Sequence, residues 1–309
     1  MILFARRVVL IAALCVLALS SRAAPRAEHV FIISLDGGKP AVIEQSQMPV
    51  LERLVAEGAH TWTATTIYPC TTLPGHTSML TGVGPEKHHI LWNTWVPSRG
   101  LVTVPTVFSE AKQAGFSTAM FVGKEMFRHL VLTNSVDQFT YGRAAEVDVI
   151  KSDSGGAEVK HEGTVMADKV AVQAAAYIVQ HKPSLCFIHF ADPDSVGHKF
   201  GWGSPQQLEA FAKTDVALGV IVKAIDQAGI ADETVVIVSA DHGGHGRIHG
   251  TKSPEDMQIP WIVWGKGVKR GFAITVPVST CDTAATALWL LKVPCPPSLD
   301  GQPVTSAFQ

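Results

Sequence analysis

Five short apolar runs, set apart by longer stretches of helical character, constrain this chain more than any other feature. They cover residues 29–35, 116–122, 185–190, 234–239 and 261–264 and are rich in Val, Ile and Phe. Gly, Pro or Asp bounds them, as expected of buried strands. Helices are predicted over 48–57, 106–114, 163–180, 205–228 and 282–291. Gly115 is a good helix stop. Ser204 is a plausible cap, with Pro205 in the first turn behind it. Strands separated by helices imply a mostly parallel central sheet covered on both faces, a three-layer α/β/α sandwich. Sites on such sheets form at the carboxyl ends of the strands. Asp36 directly follows the run at 29–35, Asp192 and Asp194 follow the run at 185–190, and Asp241-His242 follow the run at 234–239.

The amino terminus has a different character. Arg6-Arg7, the apolar run from Val8 to Leu19 and the small-residue exit around Ala23 read as a secretory signal peptide over residues 1–23. The run is shorter than the roughly 20 residues a membrane span requires. A secreted or periplasmic protein is therefore expected, with no stable span after cleavage and one domain over residues 24–309. A net charge of −2 without a basic tract argues against a nucleic-acid-binding surface. Export would permit a disulfide, with Cys281 and Cys295 the pair to test. All four cysteines of the mature part read equally well as buried small apolar residues. Residues 137–162 mix charge, Gly and Ser without periodicity and read as a surface excursion or small subdomain.

Asp194 and His198 stand four residues apart, so a helical turn projects both to one side. Asp241-His242 leaves a strand and is followed by Gly243-Gly244, with His245 and His249 in the same loop. Mixed Asp and His ligands are typical of zinc. Each pair alone is weak evidence, since an Asp at a strand end commonly serves a turn. Their joint occurrence at successive strand ends is what points to a metal site. Thr72 precedes a predicted helix over 75–80, where a helix N-terminus favours negative charge. Taken alone, Thr72 reads first as a helix N-cap.

With these pieces in view, the chain resembles the alkaline phosphatase superfamily and, within it, the nucleotide pyrophosphatase/phosphodiesterase family. The resemblance rests on Asp36-Gly37, Tyr68-Pro-x-x-Thr72-x-Pro, Thr81-Gly82, Pro85-Glu86 and Asn93. It continues through Pro193-Asp194-x-x-Gly-His198, Ser239-x-Asp241-His242-Gly243, His249-Gly250, Asp282-x-Ala-x-Thr286 and Asp300-Gly301. The resemblance implies an alkaline phosphatase-like fold and two zinc ions, with manganese or iron also compatible with the ligand types. Asp194, His198 and His249 would hold one ion; Asp36, Asp241 and His242 would hold the other. Thr72 would be the nucleophile, its oxygen on the second ion, passing through a phosphothreonine intermediate. Asn93 and the Thr72 backbone N–H would bind a non-bridging phosphate oxygen. The implied substrate is a small phosphate diester or nucleotide, since a neutral Asn suits a diester.

Some features depart from the family pattern. Leu73 and Gly75 stand where Phe and Asn are common and would alter the pocket floor; His88-His89 stands where His-Gly is common. His76 and His88 read as residues behind the ligands, and His245 reads first as a solvated loop histidine and only second as a substitute ligand. Lys124 could meet a leaving group or substrate carboxylate, but reads more simply as a solvated lysine. Trp92 and Trp95 read equally as stacking or core residues. The alternatives are a phosphomonoesterase or phosphonate hydrolase, for which Arg99 and Arg128 are the unplaced cations, and a non-catalytic metal-stabilised binding protein.

Overall fold

The computed structural model describes residues 26–142 and 163–309. The expected signal peptide and most of the 137–162 excursion lie outside them.

Eight strands form one sheet: β1 (His29–Leu35), β2 (Ala59–Thr65), β3 (Thr118–Val122), β4 (Gln138–Tyr141), β5 (Leu185–Phe190), β6 (Thr234–Ser239), β7 (Gln258–Gly265) and β8 (Phe272–Ala273). Their order is β4-β3-β5-β1-β6-β7-β2-β8. β1 lies in the middle and pairs in parallel with β5 and β6, so that Ile33 faces Ile188 on one side and Val238 on the other. β7 runs antiparallel to both β6 and β2. The sheet is thus mixed but mostly parallel, as expected.

Alternation along β1 divides the core. Val30 and Ile32 join Met79, Leu80, Phe108 and Leu288 on one face. Phe31, Ile33 and Leu35 join Leu51, Ile178, Phe211 and Leu218 on the other. Side chains alternate with period two, so a strand apolar at every position must be covered on both faces. Helices Thr72–Thr81, Val107–Gln113 and Asp282–Leu290 cover the first face; Pro49–Glu57, Ala167–His181 and Pro205–Gln227 cover the second.

The predicted punctuation is present. Ser204 accepts a hydrogen bond from the Gln207 N–H, and Thr106 forms a reciprocal capping box with Ser109. Gly115, at φ +86°, closes the helix that Thr106 opens. The start of the 137–162 stretch is not irregular: Gln138–Tyr141 extends the sheet beside β3. All four described cysteines are free thiols, so Cys281 and Cys295 are not joined. Among the described residues no helix is long and apolar enough to cross a membrane.

Candidate metal and nucleophile site

The three central strands deliver their acidic ends to one place. Asp36 leaves β1, Asp241 and His242 leave β6, and β5 leads into the helix Asp192–Phe200, which carries Asp194 and His198 one turn apart. Gly37, at φ +69°, makes this convergence possible. A Cβ there would lie 3.1 Å from the Asp194 Cα. Gly75 serves the same purpose on another side, since a Cβ would stand 2.9 Å from the Asp241 carbonyl. Gly75 thus lets the Thr72–Thr81 helix pack against the Asp241 turn. Leu73 is buried in the core below that helix, not in a pocket floor.

Two clusters that could each hold a metal ion result, Asp36 with Asp241 and His242, and Asp194 with His198 and His249. Their donor atoms lie within 4.8 Å of one another in each cluster. The fit to cations rests on atoms that otherwise have no purpose. Asp36 Oδ1, Asp194 Oδ1, Asp241 Oδ2 and His242 Nε2 are buried with no hydrogen-bond partner. Buried polar atoms are seldom left so. The histidines are also preset. Each Nδ1–H donates to a backbone carbonyl: His198 to Arg247 at 2.9 Å, His242 to Gly243 at 2.8 Å, His249 to Cys70 at 3.0 Å. That fixes the tautomer and turns every Nε2 lone pair inward. His198 and His249 then oppose Nε2 to Nε2 across 3.0 Å. Facing lone pairs repel, and a cation between them reverses the sign.

The charges follow from the same crowding. Burial opposes ionisation of Asp36, yet the Lys124 ammonium and the His189 bond hold its carboxyl well below the ordinary carboxylate range. Burial and then repulsion from Asp36 push Asp241 well above it. Burial, with His242 alongside, pushes His249 down to about 3, which keeps it a neutral donor. Behind the ligands, His189 Nε2–H donates to Asp36 Oδ2 at 2.9 Å. His76 contacts the Thr72 carbonyl at 2.8 Å and Asp241 Oδ2 at 3.4 Å. His76 therefore lies behind the ligands as expected. The sequence reading missed His189, although a lone histidine in the apolar run of β5 marks a buried polar group in need of a partner.

Thr72 is almost fully buried and is the first helical residue, not the cap. Thr71 occupies the cap position, and no side chain caps the helix. Lys124 is the main departure from expectation. It is buried, with Nζ 2.6 Å from Asp36 Oδ2, 2.6 Å from Asp194 Oδ2 and 3.2 Å from Thr72 Oγ1. Asn93 Oδ1 accepts the Leu73 N–H at 2.7 Å, which leaves the amide NH2 as its donating end.

Several other candidates lie elsewhere. His245 is bound to Asp256 at 2.7 Å and belongs to neither cluster. Arg99 lies over Trp92, 4.5 Å from the ring, and Arg128 pairs with Glu125. Trp92 donates to His129, and Trp95 packs on the same ring. His88 does not back the ligands. Its Nε2–H meets Ser78 Oγ at 3.0 Å and its Nδ1 accepts the Ile90 N–H at 3.0 Å. Burial, then the neighbouring His89, push its pKa down to about 4. An unfolded histidine titrates near 6.5, so between these values the unfolded chain binds a proton that the folded chain refuses. Stability from this group is complete above about pH 6.5 and is lost as pH falls toward 4. Allowing for solvent screening, the loss is roughly 2 kcal/mol. Urea titrations of wild type and His88→Gln at pH 7.5 and 4.5 should show that much less acid sensitivity in the variant. Equal slopes with pH would contradict this assignment.

Comparison with known proteins points to one family. The model of a family described as type I phosphodiesterase / nucleotide pyrophosphatase matches residues 30–247. Rat ectonucleotide pyrophosphatase/phosphodiesterase family member 1 is 26% identical over 222 residues, 69% of this chain and 23% of that protein. A venom phosphodiesterase of Macrovipera lebetinus is 25% identical over 230 residues, 69% of this chain and 25% of that one. The chain thus spans about a quarter of the length of the curated relatives it matches. Among solved structures, an inactive threonine-to-alanine variant of murine ectonucleotide pyrophosphatase/phosphodiesterase 5 in complex with AMP superposes with a TM-score of 0.72. Its identity is 14%, covering 91% of this chain and all of that one. A phosphonate monoester hydrolase from Silicibacter pomeroyi superposes with a TM-score of 0.65 at 15% identity, covering 89% and 75%. These likenesses show an alkaline phosphatase-like fold.

Proposed function

Because the chain belongs to the type I phosphodiesterase / nucleotide pyrophosphatase family, we propose that it hydrolyses phosphodiester or pyrophosphate bonds in small substrates, with Thr72 as nucleophile. One observation carries this reading. The Thr72 hydroxyl is free of any capping role and lies at a helix N-terminus, against the lysine that joins both ligand clusters. Asp194, His198 and His249 would hold one divalent ion, and Asp36, Asp241 and His242 the other. Zinc suits this ligand set, with manganese or iron compatible by ligand type. Such a pair supplies Lewis acidity that favours the ionised hydroxyl and neutralises the charge of an in-line displacement.

The chain's own groups do the rest. Thr72 Oγ1 attacks phosphorus, the leaving oxygen departs with the bonding pair, and a phosphothreonine forms that water then hydrolyses. N–H groups of the first helical turn face the anionic phosphoryl group. Asn93, its Oδ1 fixed on Leu73, turns its NH2 toward a non-bridging oxygen. His189 and His76 hold Asp36 and the Thr72 carbonyl in register. Residues 24–309 would act as one catalytic domain after export. The amino-terminal sequence and the ectoenzyme and venom-enzyme names of the relatives support that reading.

The metal-loaded protein should turn over a bis-aryl phosphate diester with kcat/KM about tenfold or more above the matching monoester, a difference of roughly 1.4 kcal/mol or more in barrier. A clear monoester preference would favour the second reading instead, a phosphomonoesterase or phosphonate hydrolase. The observation behind that reading is the Lys124 cation beside the nucleophile.

A further inference from the structure

Three turns carry the candidate ligands, and one side chain borders all three. Asp36-Gly37 leaves β1, the helix Asp192–Phe200 carries Asp194 and His198, and the loop after β6 carries Asp241, His242 and His249. The indole of Trp202, just past that helix, lies where they meet. Its Nε1–H donates to the Gly37 carbonyl at 3.0 Å. A Cβ at Gly197, between Asp194 and His198, would stand 3.0 Å from the indole Cδ2 and Cε2, and 2.7 Å from the Gln207 amide nitrogen. A Cβ at Gly244 would overlap the indole, whose Cε2, Cδ2 and Nε1 would be its three nearest atoms. Neither Gly197 nor Gly244 has a left-handed φ, so the backbone itself would accept a side chain at both. Room for the ring is what calls for glycine at Gly244, and at Gly197 the ring shares that demand with Gln207.

The same ring meets two of the imidazoles. It stands edge-on to His198, with centroids 5.2 Å apart, and to His249 at 5.9 Å. His249 is in turn stacked on His242 at 3.7 Å. His198 and His249 are each tied by one nitrogen to a backbone carbonyl, of Arg247 and Cys70. A ring held at one nitrogen can still tilt about that bond, and the indole blocks the tilt. The other cluster has more ties. Asp36, Asp241 and His242 are fully buried, Asp36 is bound by His189, and Asp241 accepts the Gly37 N–H. His198, by contrast, is 40% exposed and stands at the protein's edge with the indole as an aromatic wall. We propose that Trp202 is a positioning residue that sets the affinity of the ion held by Asp194, His198 and His249, by clamping the turns that carry its ligands. Outer support of this kind governs how tightly a metal is kept. The inference rests on the two-ion site proposed above and concerns the retention of one of its ions.

The probe is zinc, competed against a chelator of known affinity on the purified protein. Wild type should take up two ions, and His198→Ala identifies the step that belongs to Asp194 and His249 as the one it weakens. Trp202→Ala should weaken that step by roughly 10–100-fold, the scale of losing a ligand's outer support, and should weaken the other step less. Trp202→Phe keeps a ring without the N–H and should fall between wild type and Trp202→Ala. A merely structural tryptophan would lower the urea stability of the chelated protein and leave zinc affinity unchanged. Gly244→Ala forces a Cβ into the space of the ring and should weaken the same step. It should cost nothing further in a Trp202→Ala background, because the two positions act through one contact. Unchanged zinc affinity in both Trp202 variants would overturn the proposal, as would equal weakening of both steps or additive losses in the double variant. If wild type takes up no zinc, the two-ion reading falls and this inference with it. Unchanged affinity in a protein that does bind two ions removes the inference alone. If Trp202→Ala does not fold, Trp202→Phe and Gly244→Ala decide, since both should still weaken the Asp194 step.

Discussion

Replacing Thr72 with alanine should lower kcat/KM for a bis-aryl phosphate diester by about 10⁴-fold or more, the scale seen when a covalent nucleophile is deleted. Fold and metal content should remain. The side chain caps nothing, because Thr71 holds the cap position and no side-chain bond closes that end of the helix. Each cluster keeps its three Asp and His side chains without the hydroxyl. Deleting it removes two heavy atoms and one contact to Lys124, a change of roughly 1 kcal/mol in stability. Thr72→Ser keeps the oxygen and should retain a substantial fraction of activity. The measurements are steady-state kinetics, elemental analysis and a thermal melt on the same preparation. Full turnover by a metal-replete Thr72→Ala protein would remove the covalent mechanism. It would leave the family scaffold with an unrelated route to hydrolysis or, with no turnover in wild type either, with a binding role.

The parts of this molecule that were legible are those set by local chemistry. β1, β5 and β6 read directly from sequence because strands buried on both faces must be apolar throughout. The helix starts at Thr106 and Ser204 read because capping is a contact between near neighbours. β2 did not read, since Ala59–Thr65 mixes Thr, His and Trp and buries only part of its length. β4 and β8 are short and partly exposed, and pair with one neighbour each. The direction of β7 was also hidden. A parallel return needs a connection of a dozen residues or more, and the segment between β6 and β7 is long enough for either sense.

The ligand types were legible for a related reason: a carboxylate directly after a central strand has few other partners at the sheet edge. What lies behind the ligands was not. His189 reaches Asp36 because the β1–β5 register sets Ser34 beside His189, and register is a tertiary fact. Lys124 follows Gly123 at a strand end, where a lysine is ordinarily solvated. Only the meeting of Asp36 and Asp194, remote in sequence, makes a buried ammonium there stable. His245 shows the converse. Its spacing to His249 suits a metal loop, but Asp256, which also binds Thr251, takes its imidazole.

Removing divalent ions should cost this protein its activity and lower its thermal midpoint by on the order of 10 °C. The structural ground is the buried set of unpartnered atoms, Asp36 Oδ1, Asp194 Oδ1, Asp241 Oδ2 and His242 Nε2, together with the opposed Nε2 atoms of His198 and His249. Each unpaired buried polar atom costs about 1–3 kcal/mol, and an ion in each cluster relieves most of them together. Mass action gives the same scale: free ion at about a thousand times its dissociation constant adds about 4 kcal/mol per site. For a chain of this size 1 kcal/mol moves the midpoint by roughly 2 °C. Chelated protein, and the same protein reloaded with zinc, manganese or iron, should separate by that amount in a melt, with activity returning alongside stability. Asp241→Asn removes one donor charge from the more buried cluster and should shrink the gap between the loaded and chelated states without closing it, because Asp194, His198 and His249 remain. Identical melts before and after chelation, with metal content confirmed to change, would mean that these atoms are satisfied in another way. The two-cluster assignment would then have to be abandoned.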